Sequence, residues 1–131
     1  MTNQARWISA ATFVWLIVYV PLETSISIDL AGLSAFKNIG YLINVAGMGL
    51  LFVGALNTWR NRPRGAVWLV IGWAWTAATF WRATSDRFWW VAQGNALYAG
   101  SAELWLAPLL STLATLMLAG SAKLVFRQLA R

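Results

Sequence analysis

Apolar residues gather into four runs along the chain, at residues 7–22, 39–59, 65–81 and 104–126, separated by shorter polar stretches. Each run approaches the ~17–25 residues with which a helix crosses the hydrocarbon core of a bilayer, the first and third being at the short end. The pattern therefore predicts an all-α integral membrane protein, a four-helix transmembrane bundle forming a single domain.

The first run opens at Trp7 and reaches Pro21. Proline lacks a backbone N–H and crowds the preceding turn, which argues for an end there, with Glu23 at or just outside the membrane boundary. Residues 23–37 then form a connection. Were the helix to run past the proline, Thr12, Tyr19 and Glu23 would share one side, Tyr19 and Glu23 being four apart.

The second run carries a packing signal. Gly40, Asn44, Gly47, Leu51, Gly54 and Thr58 recur at alternating steps of four and three, one helical stripe of mostly small residues. Such a stripe lets two helix backbones approach and gain contact that lipid cannot replace. It faces either another helix of this chain, the favoured reading, or a second copy. The Asn44 amide needs a partner there, since leaving it unpaired costs about 1–3 kcal/mol, so an interhelical tie is expected.

The third run is rich in tryptophan. Trp68 and Trp81 lie near its ends, as interfacial indoles do. Trp73 and Trp75 lie deeper and need N–H acceptors, such as Thr76, Thr79, a carbonyl on a neighbouring helix, or a flat bound molecule. The stripe Trp68, Gly72, Trp75, Thr79, Arg82 puts Arg82 on the Trp75 face. Beyond it, Phe88, Trp89, Trp90 and Val91 read as a cap on the membrane surface or over the mouth of the bundle. Gln93, Gly94, Asn95 and Gly100 mark a loop. The last run, with Pro108 near its start, has a side of small and hydroxyl residues (Ser111, Thr112, Thr115, Ala119, Ala122) that makes a second packing seam.

Composition agrees with lipid surroundings: hydrophobic residues are 60% and charged residues 11% of the 131, against roughly 45–50% and about 25% in ordinary globular proteins. There is neither cysteine nor histidine. Thiolate and imidazole chemistry, disulfides and the usual zinc or haem ligands drop out together, so no metal site is expected and no cofactor is identified. The single arginine before the first run, with no small-residue cleavage site after it, reads as a retained span rather than a signal peptide.

Charge sets an orientation. If the four runs alternate, Arg6, Arg60, Arg62, Arg64, Lys123, Arg127 and Arg131 share one side, while Lys37, Arg82, Arg87 and all four acids (Glu23, Asp29, Asp86, Glu103) share the other. The positive-inside rule then makes both termini cytoplasmic. The net charge of +6 thus reads as topology anchoring, and no nucleic-acid partner is expected. Short loops and cytoplasmic termini fit a bacterial inner membrane.

The candidate site is an aromatic, charged outer rim: Glu23, Trp75, Thr79, Arg82, Asp86, Trp89, Trp90 and Glu103, with Arg82 expected to pair with Glu23 or Glu103. The glycine stripe of Gly40, Asn44, Gly47 and Gly54 is the helix-packing seam. These residues suit a non-catalytic membrane subunit or a protein binding lipid or a small apolar molecule, assembled as a homo-oligomer or within a larger membrane complex. A small oligomeric transporter or channel is the alternative. An enzyme would have to work through carboxylates, arginine, serine, threonine or tyrosine, and no spacing here indicates that two carboxylates converge.

Overall fold

A computed structural model describes residues 2–31, 39–94, 99–100 and 102–130, the side chains of residues 25–31, 39 and 103 excepted. The described chain is helical: α1 (Asn3–Ala31), α2 (Ile39–Trp59), α3 (Gly65–Ala92) and α4 (Ala102–Leu129). Each helix packs antiparallel on the next, α1 on α2, α2 on α3 and α3 on α4, and α1 meets α4 along a sparser contact. Three stretches, Asn3–Thr24, Gly40–Trp59 and Leu104–Leu129, are long and apolar enough to cross a membrane, which marks the chain as a membrane protein. At 28 residues, α3 has the length as well, about 42 Å at 1.5 Å per residue. Its six tryptophans and the charges at 82, 86 and 87 hold its hydropathy lower.

The expected ends of two helices are corrected. Pro21 does not end α1, which continues for ten residues beyond it. A proline inside a helix forfeits one backbone bond and strains the preceding turn, at about 3 kcal/mol. Contacts just past it offset that cost, Glu23 receiving the Asn44 amide and Thr24 sharing a hydrogen bond with Tyr41 of α2. Likewise α3 does not stop at Trp81. Its backbone bonds remain internal through Ala92, and two side chains brace the extra turns, Arg82 toward Asp86 and Arg87 Nη1 donating to the Ala83 carbonyl. Opposite charges four apart on a helix attract in this way. The helix ends where Gly94 takes a positive φ of 81° and its N–H bonds back to Val91.

The α2 stripe faces α3. A Cβ on Gly54 would stand 2.6 Å from the Leu69 nitrogen, one on Gly72 would stand 2.9 Å from the Leu51 nitrogen, and Gly47 lies under the Trp75 ring. Backbones this close admit no side chain between them. Gly40 is exposed at the start of α2. The buried core continues the theme of small residues, with Ala55, Ala66, Ala77, Ala114, Ser9, Ser111 and Ser121 beside Leu51, Leu69 and Trp73. In lipid, where burying apolar surface gains little, close packing of this kind holds helices together.

The antiparallel order sorts charge by end. Arg6, Arg60, Arg62, Arg64, Lys123 and Arg127 lie where α1 and α3 begin and α2 and α4 finish, while the four acids lie on helix segments toward the opposite end.

Candidate functional site

Near the acidic end, a three-residue polar node ties α1 to α2. Glu23 accepts from the Tyr19 hydroxyl at Oε2 (3.1 Å) and from the Asn44 amide at Oε1 (2.6 Å). Tyr19 and Glu23 are one helical turn apart, so this geometry exists only because α1 runs through Pro21. Among the described residues, Glu23 takes these two hydrogen bonds and no ion pair. The Arg87 guanidinium of α3 lies within electrostatic reach of the Tyr19 hydroxyl, which brings a third helix to the node.

Beside the node runs an aromatic cleft between α1, α2 and α3. Trp15, Tyr19, Trp75 and Phe80 form its apolar walls, with Asn44, Thr76 and Thr79 as polar members. The rings are mutually locked. Trp15 stacks on Tyr19 at 5.5 Å and meets Trp73 and Phe80 edge-on at 5.4 and 5.6 Å, and Tyr19 meets Phe80 at 5.2 Å. Such offset and edge-to-face pairs contribute about 0.5–1.5 kcal/mol each beyond burial. The free space inside is about 10 Å3, room for about one water.

The deep indoles find partners within the fold. Trp73, fully buried, donates to Thr12 Oγ1 across the bundle at 3.2 Å, and Trp75 donates to the Ile43 carbonyl of α2 at 3.1 Å. Trp81 donates to Thr115 of α4 at 2.9 Å, and Thr84 shares a 2.9 Å hydrogen bond with Ser111. Thr79 bonds back to the Trp75 carbonyl of its own helix. Among the described residues, three buried polar atoms lack a partner: Ser9 Oγ, Trp15 Nε1 and Thr58 Oγ1.

The expected rim therefore divides. Glu23, Trp75 and Thr79 gather around the node and cleft. Arg82 and Asp86 instead form a 3.9 Å pair on the outside, their side chains 82% and 63% exposed. The expected pairing of Arg82 with Glu23 is thus corrected: Glu23 turns inward to Asn44 and Tyr19, and Arg82 finds its acid one turn along its own helix. The Glu103 side chain lies outside the described residues. Trp89 and Trp90 also lie outward, 63% and 50% exposed. Sequence reasoning passed over Trp15 and Phe80. The spacing of Trp15, Tyr19 and Glu23, four and four, would have found the first once α1 was taken past its proline.

Among the described residues, no three His, Cys, Asp or Glu side chains group as metal ligands would. Glu23 is a single carboxyl group with one donor on each oxygen. Comparison with known proteins finds no matching family model, no matching curated protein and no matching solved structure.

Proposed function

We propose that this chain is a small, non-catalytic membrane protein that works through its outer surface, as a subunit of a membrane complex or a binder of lipid and small apolar molecules. In this reading all four helices cross the bilayer, α3 included, because α2 and α4 flank it on both sides. The cluster of arginine and lysine at one end supports, by the positive-inside rule, cytoplasmic termini and a cytoplasmic 60–64 turn, in a membrane of the bacterial inner type.

The observation that carries this reading is the contrast between inside and outside. Between the helices, Asn44, Trp73, Thr84 and Ser111 make interhelical ties, the half-exposed Trp75 and Trp81 tie their N–H groups to α2 and α4 as well, and the cleft leaves room for about one water. Outside, Trp7, Trp89, Trp90 and Trp105 stay exposed, Trp7 and Trp105 by about three quarters. A filled interior and an aromatic exterior leave the exterior to recognise something. Native mass spectrometry after purification in mild detergent tests this. Retained lipid, a second copy or another membrane subunit is expected. A bare monomer that passes solutes when reconstituted would overturn it.

A second reading, a small transporter, is favoured by one observation: Glu23 lies inside a helix, next to an aromatic cleft. Uptake of a lipophilic cation into proteoliposomes, lost in Glu23→Gln with thermal stability unchanged, would select this reading.

A further inference from the structure

A groove between the start of α1 and the end of α2 holds about 300 Å3 of open space, walled by Asn3, Arg6, Trp7, Ala10 and Trp59. That is the lower end of the ~300–1,000 Å3 typical of small-ligand sites, whereas the aromatic cleft at the other end admits only a water. The groove is polar where α1 begins, with Asn3 and Arg6, and apolar further along at Ala10. Trp7 and Trp59 flank it. Phe13 meets Trp59 edge-on at 6.4 Å and supports that indole.

The charge here is unspent. Arg127 donates to Gln4, Arg82 pairs with Asp86 and Arg87 bonds to Ala83. The Arg6 guanidinium has no hydrogen bond or ion pair to any described residue. Arg60, Arg62 and Arg64 stand on the adjoining turn, and no acid lies on the helix segments at this end. An open groove with an unpaired guanidinium at one end and two indoles beside it calls for a ligand that is anionic at its head and apolar behind.

We propose that this groove seats one anionic phospholipid of the surrounding bilayer, its phosphate on Arg6 and one acyl chain passing Ala10 between Trp7 and Trp59. A guanidinium matches two phosphate oxygens at once, which an ammonium does not. A zwitterionic lipid carries the same phosphate but also a cation, which would face Arg60, Arg62 and Arg64. Net-anionic headgroups are therefore preferred, with the tryptophans at the depth where indoles favour the interface. The inference rests on the membrane reading above.

The test is native mass spectrometry of the full chain in mild detergent, with phosphatidylglycerol or phosphatidylcholine added in equal amounts. One phosphatidylglycerol should be retained in preference. Arg6→Gln should lower its retention about fivefold, the worth of one cationic contact near a membrane surface. Arg6→Lys should retain more than Arg6→Gln, and Arg64→Gln, the same charge loss on the neighbouring turn, should lower it less. Trp59→Leu should weaken retention of both lipids. Equal retention of the two lipids, or equal losses in Arg6→Gln and Arg64→Gln, would leave only a diffuse basic surface and overturn the site. Displacement of the lipid by inorganic phosphate would assign the groove to a free anion and overturn it too. Both results leave the membrane reading standing, whereas a chain that stays soluble and monomeric without detergent defeats that reading and the site together.

Discussion

The side-chain amide of Asn44 donates to Glu23 Oε1 at 2.6 Å, joining α2 to α1 just beyond a proline. Hydrogen bonds between membrane helices average about 0.6 kcal/mol and reach about 1.7, and a short bond to a carboxyl oxygen belongs at the upper end. Asn44→Ala should therefore lower stability by about 1–2 kcal/mol, measured by thermal unfolding in detergent. Asn44→Asp, which puts a second carboxyl against the first and removes the donor, should cost more. An Asn44→Ala protein that melts with the wild type would mean that α1 and α2 are held elsewhere.

Two glycines five residues apart on α2 should behave oppositely. A Cβ on Gly54 runs into the Leu69 and Trp68 backbone, while a Cβ on Gly49 meets nothing within 4 Å. Gly54→Ala must push α2 away from α3 and should cost about 1–3 kcal/mol, as overpacking does. Gly49→Ala should be neutral or stabilising by up to about 1 kcal/mol, because alanine is the better helix former. Equal effects in the two variants would contradict the α2–α3 contact.

Why the seam could be read from sequence while the node could not follows from the range of the interactions involved. Small residues at steps of four and three have a local steric meaning, a close helix contact, though the spacing does not say with which helix; Gly47 and Gly54 lie against α3. The Glu23–Asn44 bond joins residues 21 apart and depends on α1 surviving Pro21, against which local propensity argues. Contacts on the following turn decide the matter, and a single run of residues does not display them. The Asp86–Trp90 stretch misleads for a related reason. Charge and tryptophan together suggest a cap beyond the end of the span, yet a helix bonds its own backbone whatever its side chains, and α3 continues through Ala92.

Two tryptophans of the same aromatic cluster separate ring packing from hydrogen bonding. Trp73 Nε1 donates to Thr12, whereas the Trp15 Nε1 is buried without a partner among the described residues. Replacing either by phenylalanine removes similar ring volume, but only Trp73→Phe also breaks a bond between α1 and α3. Trp73→Phe should cost about 1–3 kcal/mol and Trp15→Phe distinctly less, since that change also removes an unsatisfied donor. Unfolding midpoints compared side by side would decide it, and a reversed order would count against the Trp73–Thr12 bond.

Trp89 and Trp90 offer a readout that separates folding from recognition. Both are exposed at the end of α3, so Trp89→Ala and Trp90→Ala should shift stability by no more than about 0.5 kcal/mol, as surface changes do. If the outer surface acts in binding, the same variants should lose co-purifying lipid or protein. Loss of stability without loss of partners would move these residues from recognition to folding.

The chain contains no cysteine, so an introduced thiol reports the orientation without background. Arg62 lies on the turn between α2 and α3 and Gln93 just past α3, at opposite ends of the bundle and both exposed. If α3 crosses the bilayer with the basic end in the cytoplasm, a membrane-impermeant maleimide applied to intact cells should label Gln93→Cys and spare Arg62→Cys. Opening the membrane should then label both. If both were labelled in intact cells, α3 would not cross, and the three helices of membrane-spanning hydropathy would have to be threaded with α3 along one surface. The reverse pattern would keep four spans and invert them, so that the arginine cluster would face outward against the positive-inside rule.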